Sequence, residues 1–298
     1  MTQEGTALQH ITLEKGLATF LNALSGKNRS AATVRAYSTD ISQFIAFLHA
    51  NNVSIHTPAE VKRLDVMEYL ASCAKRELTG IARARKLSAL REYFRFLEGI
   101  GVIAKSPTTG IETPKREKNT RQVLRADEYT KMLSLAGAHP RDYAVLQVFL
   151  QTGIRVSELA SLRLEDIDLI KPAITVRGKG NQQREITLEK KGVHALKSYL
   201  AIRPDNLSSR VFLNYQGKPI SERGIRKLVV KYRKAAGITK KASCHTLRHT
   251  FATYKAEKGV SAYQLQQWLG HANLNTTQIY VHLGKQNAKK IMEQTSLA

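Results

Sequence analysis

The stretch Ala173-Ile-Thr-Val-Arg177, Gly178-Lys-Gly-Asn181, Arg184-Glu-Ile-Thr-Leu188 decides the fold class of the second half of the chain. Two runs rich in β-branched residues flank a glycine-rich turn, a pattern that predicts a β-hairpin. Around the hairpin, apolar spacing predicts helices at residues 127–135, 143–150, 190–202, 221–236, 246–258 and 261–269, with a short strand at 211–213. We therefore expect a mainly α chain whose second half is an α+β unit with a small β-hairpin.

The first half of the chain is predicted to be entirely helical. Apolar residues recur at helical spacing over residues 13–24, 34–48, 58–75 and 79–97, and short loops between four such helices indicate a compact bundle. Ser30 is placed to cap the second helix, the fourth starts near Thr79, and Gly99 and Gly101 stop it. The fourth helix is basic in its first half, so we predict DNA contacts from Arg83, Arg85 and Lys86.

A stretch with loop character separates the two halves. Residues 105–122 contain Pro107, Gly110 and Pro114, and then a polar, charged run. Proline lacks a donor and disfavours helix in the residue before it. We therefore divide the chain into an N-terminal helical domain (residues 1–104), a linker (105–122) and a C-terminal domain (123–298).

Composition narrows the class of partner. The 298 residues carry a net charge of +23 and 42% are hydrophobic, enough to form cores and to exclude a disordered basic tail. Such an excess of positive charge indicates a polyanionic binding partner, with nucleic acid as the first candidate and an anionic membrane as the second. Of the charge, +17 lies in residues 117–298. No apolar run approaches a membrane span, no signal peptide is visible, and Cys73 and Cys244 cannot form a disulfide framework, so a cytoplasmic location is expected.

Four short clusters in the C-terminal half carry groups suited to chemistry. They are Arg155 with Glu158, the hairpin lysine Lys179, the trio His245, Arg248 and His249, and the pair His271 and Tyr280. Together they supply what phosphoryl transfer without a metal requires: arginines for phosphate oxygens, a hydroxyl nucleophile and proton donors. The acidic residues Glu165, Asp166 and Asp168 are interpreted as opening the turn before the hairpin, not as a two-metal nuclease site.

The motifs around these residues resemble the tyrosine recombinases, or phage-integrase-type site-specific recombinases, particularly their Xer-like branch. The segments that carry the resemblance are TGIRVSELASLRLEDID at 152–168, the hairpin lysine at 179, HTLRH at 245–249 and LGHANLNTTQIYVH at 269–282. RKLSALREYFRFL at 85–97 is similar to the core-binding domain of the family, a SAM-like helical bundle. The order, spacing and flanking residues of the motifs from 152 to 282 agree with the family, and with the N-terminal segment the resemblance covers nearly the whole chain.

The resemblance implies a role for each matching residue. Arg155 and Arg248 would grip the scissile phosphate, and Lys179 would act as general acid toward the 5′-hydroxyl. His245 and His271 would bind phosphate and assist proton transfer, and Tyr280 would be the nucleophile that forms a 3′-phosphotyrosyl link. Glu158 would be the acidic partner of Arg155, and His249 would be a structural support of the catalytic residues. No metal or other cofactor is implied.

The implied function is site-specific DNA recombination through a Holliday junction. The implied partners are a double-stranded recombination site and other protomers, two per site and four in the assembly, with the C-terminal tail (residues 287–298) docking on a neighbouring protomer. The partner protomer is an identical chain or a paralogous recombinase, and an accessory protein is a further candidate. Further DNA contacts are predicted from Arg223, Arg226 and Lys227, with the protein associated with the nucleoid and not with a membrane. Two alternatives stay open: a type IB topoisomerase-like enzyme and a non-catalytic DNA-binding accessory protein.

Overall fold

The computed structural model describes residues 11–27, 29–51, 54–115, 122–178, 183–205 and 208–270. The chain forms two compact units, Met1–Asn119 and Thr120–Ala298. None of the helices among the described residues is both long enough and apolar enough to cross a bilayer.

The N-terminal unit is a helical bundle. Its helices are α1 (Leu13–Gly26), α2 (Ala31–Asn51), α3 (Arg63–Lys75) and α4 (Gly80–Gly99). The hydroxyl of Thr79 accepts from the backbone N–H of Ala82 at 3.2 Å and so begins α4 where the sequence predicts. The apolar stripes meet in one core, in which Phe44, Tyr69 and Phe94 are fully buried.

The predicted helix over residues 58–75 is interrupted in the structure. A 3₁₀ turn at Pro58–Glu60 precedes α3, and Val61 between them has extended backbone angles (φ −68°, ψ 120°). The Glu60 carboxylate accepts from the N–H groups of His56 (2.7 Å) and Thr57 (2.8 Å), which closes the turn on itself. The prediction of one continuous helix was wrong because the backbone is extended at Val61 and α3 begins anew, with the Lys62 N–H donating to the Asp65 carboxylate at 2.7 Å.

The described residues of the C-terminal unit form helices and a small sheet. Its elements are α5 (Ala126–Ala136), α6 (Pro140–Thr152), α7 (Val156–Ser161), β1 (Ile167–Asp168), β2 (Ala173–Arg177), β3 (Gln183–Thr187), α8 (Lys190–Ile202), α9 (Glu222–Ala235), α10 (Cys244–Glu257) and α11 (Ala262–Leu269). The sheet is antiparallel in the order β1-β2-β3, and Val176 of β2 lies opposite Arg184 of β3. The mainly α fold with its hairpin is confirmed, although α7 and β1 were not predicted.

Two details of the sheet region differ from, or extend, the sequence-based expectation. Residues 211–213 form no strand, because Leu213 makes only an isolated bridge to Pro219. The acidic cluster does open the turn before the hairpin: one oxygen of Asp168 accepts from the N–H groups of Ile170 (2.9 Å) and Lys171 (2.8 Å). This is an Asx turn, which directs the chain from β1 into β2.

Candidate active site

The site is built around the turn that ends α6. Gly153 caps that helix in the left-handed conformation, with φ +58°, and its N–H donates to the carbonyl of Phe149 at 2.9 Å. A Cβ here would lie 2.4 Å from a ring carbon of Phe251 on α10 and 3.0 Å from a methyl carbon of Leu269 on α11. Glycine is therefore required both by the backbone angle and by the close approach of two helices.

Arg155 follows this turn and lies at the N-cap of α7. Its backbone N–H donates to Glu158 Oε2 at 2.7 Å, and its guanidinium donates through Nη1 to Glu158 Oε1 at 2.8 Å. Glu158 is 5% exposed. Burial raises the pKa of this carboxyl, but hydrogen bonds from Arg184 and from the Arg155 N–H outweigh that effect and lower the pKa below its ordinary value. Glu158 is thus a buried carboxylate that fixes Arg155 at both its backbone and its side chain.

Helix α10 contributes two more of the predicted residues. Ser243 begins the helix by accepting from the N–H of Thr246. His245 lies in the first turn and is exposed, whereas Arg248, one turn later on the same face, is 6% exposed. Arg248 Nη1 donates to the carbonyl of Gly153 at 2.7 Å, so the α6 turn and α10 are joined by this arginine.

Three arginines converge on the C-terminal end of α11. Arg184 Nε donates to the carbonyl of Trp268 (2.8 Å), Arg248 Nη2 to that of Leu269 (2.7 Å) and Arg155 Nη2 to that of Gly270 (2.7 Å). The last carbonyls of a helix have no partner within it and form the negative end of its dipole. The guanidinium groups satisfy these carbonyls, and this brings Arg155 and Arg248 together as the sequence motifs require.

The charges of this cluster act on His245. Desolvation by the surrounding protein lowers the pKa of its imidazole, and the positive charges of Arg248, Arg226 and Arg155 lower it further. The neutral imidazole is therefore favoured near pH 7, in which one ring nitrogen donates and the other accepts. Such a group can exchange a proton with a neighbouring hydroxyl.

Sequence reasoning missed Arg184 as part of this site. Its guanidinium donates to both oxygens of Glu158, at 2.9 and 2.8 Å, and its side chain is 14% exposed. A signal was available: strand alternation places Arg184 on the same face as the buried Ile186. An arginine on the apolar face of a strand indicates a buried carboxylate nearby.

Several predicted residues lie outside the described part of the chain: Lys179, His271, Tyr280 and the tail at 287–298. His249 is half-buried on α10, and its supporting role stays a prediction. Gly270, the residue directly before His271, has φ +61° and ends α11.

The predicted DNA contacts of the C-terminal unit share one exposed face. Arg223, Arg226 and Lys227 are exposed on α9, whose opposite face buries Ile225 and Val229. Arg226 pairs with Glu222 one turn earlier and is near enough to α10 for its charge to act on His245.

The predicted contacts of the N-terminal unit require a correction. Arg85 is exposed and Arg83 is half-buried, but Lys86 is 3% exposed. Lys86 Nζ lies 3.1 Å from a carboxylate oxygen of Asp40, which is itself 2% exposed and also binds Arg85. The prediction of a DNA contact for Lys86 was wrong, because its ammonium group is buried and forms an ion pair with Asp40 between α2 and α4.

Comparison with known proteins assigns the family. Residues 122–287 match the model of the phage integrase family, and residues 17–99 match that of the phage integrase N-terminal SAM-like domain. The chain is 34% identical to tyrosine recombinase XerD of Listeria innocua, covering 90% of this chain and 93% of that protein, and 34% identical to tyrosine recombinase XerC of Thermodesulfovibrio yellowstonii, covering 97% and 94%. Its fold is similar to that of lambda integrase in a crystal structure of a tetramer bound to a Holliday junction, with TM-score 0.76, 19% identity and coverage of 94% and 80%.

The chain therefore belongs to the phage integrase family, with Xer tyrosine recombinases among its relatives. This confirms the prediction of an enzyme of site-specific DNA recombination. Nothing in the comparisons favours the topoisomerase-like or the non-catalytic alternative.

Proposed function

We propose that the chain cuts and rejoins DNA strands at a specific site with Arg155, Lys179, His245, Arg248, His271 and Tyr280 as its catalytic residues. The observation that carries the proposal is that Arg155 and Arg248 bind consecutive carbonyls at the end of α11. The charges of both arginines also lower the pKa of His245, which favours its neutral form. A guanidinium has five N–H donors. Arg155 binds Glu158 and Gly270, Arg248 binds Gly153 and Leu269, and the proposal assigns further N–H groups of both to phosphate oxygens.

The chemistry follows from this arrangement. The Tyr280 hydroxyl attacks the scissile phosphorus and loses its proton to the neutral His245, while the bond from phosphorus to the 5′-oxygen breaks and Lys179 protonates that oxygen. The two arginines stabilise the negative charge that builds on the non-bridging oxygens. The energy of the diester is kept in the 3′-phosphotyrosyl link, so attack by a new 5′-hydroxyl rejoins the strand without ATP. His271 is assigned to the phosphate together with the arginines.

The two arginines are already fixed in place before the substrate binds, which favours this reaction. Arg248 is 6% exposed and is anchored between Gly153 and Leu269, and Arg155 is anchored by Glu158 and Gly270. Positioned donors need no reorganisation when charge develops in the transition state. Such a site is suited to a reaction in which the protein supplies placement and charge and the substrate supplies the bond energy.

Double-stranded DNA is the proposed partner of both units. The C-terminal domain (residues 123–298) would contact the duplex through the exposed face of Arg223, Arg226 and Lys227 on α9 as well as through the active site. The N-terminal domain (residues 1–104) would contact it through Arg85 and Arg83 on α4, with residues 105–122 as the linker. The net charge of +23 is what two DNA-binding domains on one duplex require.

The proposed assembly has two protomers on each site and four on two sites. The similar fold of lambda integrase, solved as a tetramer on a Holliday junction, supports this arrangement. The tail at residues 287–298 would dock on the neighbouring protomer, which is an identical or a paralogous chain, and an accessory protein would regulate the assembly. A protein acting on such sites would be associated with the nucleoid of the cytoplasm.

A nicked suicide substrate tests the proposal. The nick lets a short 5′-hydroxyl fragment diffuse away after cleavage, so the covalent protein–DNA adduct accumulates. We expect an adduct with the wild-type chain on its own site and none with Tyr280→Phe, which binds the same DNA with unchanged affinity. A verified site that is bound without any adduct would refute the proposal, and supercoil relaxation without site preference would favour the topoisomerase-like alternative.

A further inference from the structure

We infer that Arg184 is a positioning residue of the recombination site, which holds Glu158, and through it Arg155, in the orientation that phosphate binding requires. The inference rests on the proposed function and adds a residue to its machinery. Arg184 does not touch the reacting atoms in this assignment: it acts through its contacts.

The guanidinium of Arg184 is held by the protein at each of its nitrogens. All three nitrogens of its guanidinium are used: Nη1 and Nη2 bind the two oxygens of Glu158 at 2.9 and 2.8 Å, and Nε binds the carbonyl of Trp268 at 2.8 Å. The paired contact with the carboxylate is bidentate, the most strongly oriented form of an arginine–carboxylate pair. Because each of its three nitrogens already binds a protein acceptor, we assign Arg184, whose side chain is 14% exposed, a holding role and no DNA contact.

The Glu158 carboxylate is shared between two arginines. Each of its oxygens accepts one hydrogen bond from Arg184 and one from Arg155, the latter from Nη1 (2.8 Å) and from the backbone N–H (2.7 Å). Four donors match the roughly four acceptor positions of a carboxylate. Without Arg184, half of these positions lose their donors in a buried place, and the carboxylate turns toward its remaining partner. Arg155 would then move with it.

Arg184 also packs against Gly270. A Cβ at this position would lie 2.9 Å from Arg184 Nη1 and 3.1 Å from Cζ, so the guanidinium is packed directly on the backbone of this glycine. The carbonyl of the same residue accepts from Arg155 Nη2 at 2.7 Å. Arg184 and Arg155 thus both contact Gly270, the residue that directly precedes His271 in the sequence.

Arg184 is therefore a point of attachment for three segments of the proposed site. It belongs to β3, the strand that follows the hairpin turn with Lys179. It binds the carboxylate that holds Arg155, and it binds the end of α11, whose next carbonyl holds Arg248. Because misplacing a catalytic group by about 1 Å can cost about 10²-fold in rate, the loss of Arg184 is expected to lower the rate of cleavage strongly.

The test measures single-turnover adduct formation on the nicked substrate at saturating DNA. We expect Arg184→Gln to slow this step by about 10²-fold while the dissociation constant for DNA changes less than about twofold, since no phosphate contact is removed. Arg184→Lys retains a cation beside Glu158 and is expected to recover part of the rate. Glu158→Gln and the double variant complete a cycle, in which Arg184→Gln adds little once Glu158 is gone.

Arg203 provides the matched control. It is another arginine of the same unit whose donors bind backbone carbonyls, those of Pro204, Ser208, Arg210 and Val211, and none of its partners belongs to the site. Arg203→Gln is expected to lower thermal stability and to leave the cleavage rate per folded molecule unchanged. An equal loss of rate in Arg203→Gln would reduce Arg184 to a general stabilising residue and overturn the inference.

Other outcomes separate the inference from the proposed function. Wild-type cleavage together with a wild-type rate in folded Arg184→Gln overturns the inference alone, as does full additivity with Glu158→Gln. Where Arg184→Gln fails to fold, Arg184→Lys decides: a slower rate at unchanged DNA affinity supports the inference, and an unchanged rate overturns it. No adduct with the wild-type chain overturns the proposed function and this inference with it.

Discussion

Gly153→Ala is the substitution whose effect can be worked out most directly from the structure. The glycine has φ +58°, and the added Cβ would be 2.4 Å from the ring of Phe251 and 3.0 Å from Leu269. Both separations are far below a normal contact. The substitution therefore strains the backbone and forces two helices, α10 and α11, away from the turn before Arg155.

The two costs can be estimated separately. An L-residue in the left-handed conformation costs about 1 kcal/mol, and overpacking a close contact costs about 1–3 kcal/mol. The free energy of unfolding of the C-terminal unit should fall by about 2–4 kcal/mol in total. Gly237→Ala is the matched control: Gly237 has φ +72°, and a Cβ there would meet nothing within 4 Å, so only the backbone cost of about 1 kcal/mol is expected.

The chain carries its own probe for this measurement. It has one tryptophan, Trp268, which lies in α11 with its ring centroid 6.3 Å from that of Phe251. Denaturant unfolding followed by tryptophan fluorescence therefore reports on the C-terminal unit. If Gly153→Ala is no more destabilising than Gly237→Ala, the steric part of the reasoning is refuted. Recovery of full cleavage activity in Gly153→Ala would further refute the view that this turn places Arg155.

Three further predictions concern charge. The lowered pKa of His245 predicts a cleavage rate that rises with pH through a value below the ordinary 6.5 or so of histidine, because deprotonation produces the active neutral form. Arg226→Gln removes one of the charges that lower this pKa, so the rising limb should move to higher pH, whereas Arg223→Gln should leave it in place. In binding titrations against salt, each of Arg223→Ala and Lys227→Ala should reduce the slope of log K by about 0.9 if the side chain neutralises one phosphate; an unchanged slope would contradict the contact. Asp40→Asn leaves a buried lysine of α4 without its carboxylate and should lower the stability of the N-terminal unit by about 3–5 kcal/mol, measured by thermal unfolding in circular dichroism; a change below 1 kcal/mol would contradict the buried pair.

Local signals in the sequence predicted most of the fold. Thr79 marks the start of α4, Gly153 the end of α6, and the glycine-rich turn the hairpin, because each of these residues acts on its own stretch of backbone. The errors have the opposite character. At Val61 the backbone is extended between two separately capped turns. The backbone bonds of residues 211–213 are divided between two segments: the Val211 N–H donates to the carbonyl of Leu162 at 2.9 Å, and the carbonyl of Phe212 accepts from the Ile220 N–H at 3.0 Å.

The candidate site was predicted as a set of residues but not as an arrangement. The motifs identified Arg155, Glu158, His245 and Arg248. The structure brings the two arginines to the end of α11, with Glu158 bound to Arg155. Arg184 was missed because its partners are a carboxylate 26 residues away and a carbonyl 84 residues away. Every residue has a backbone carbonyl, so the residue types at 268, 269 and 270 do not reveal that their carbonyls bind arginines.

Because the arginines bind backbone carbonyls, the sequence at the end of α11 can vary more freely than the length of the helix. The arginines hold peptide groups of residues 268, 269 and 270, not their side chains, so substitution at positions 268 and 269 can change the surroundings of the site without removing a ligand of the arginines. The length of α11 is constrained much more tightly. Inserting or deleting one residue would rotate the terminal carbonyls by about 100° around the helix axis and turn them away from all three guanidinium groups at once. Evolution along this segment should therefore proceed by exchange of side chains and not by insertion or deletion.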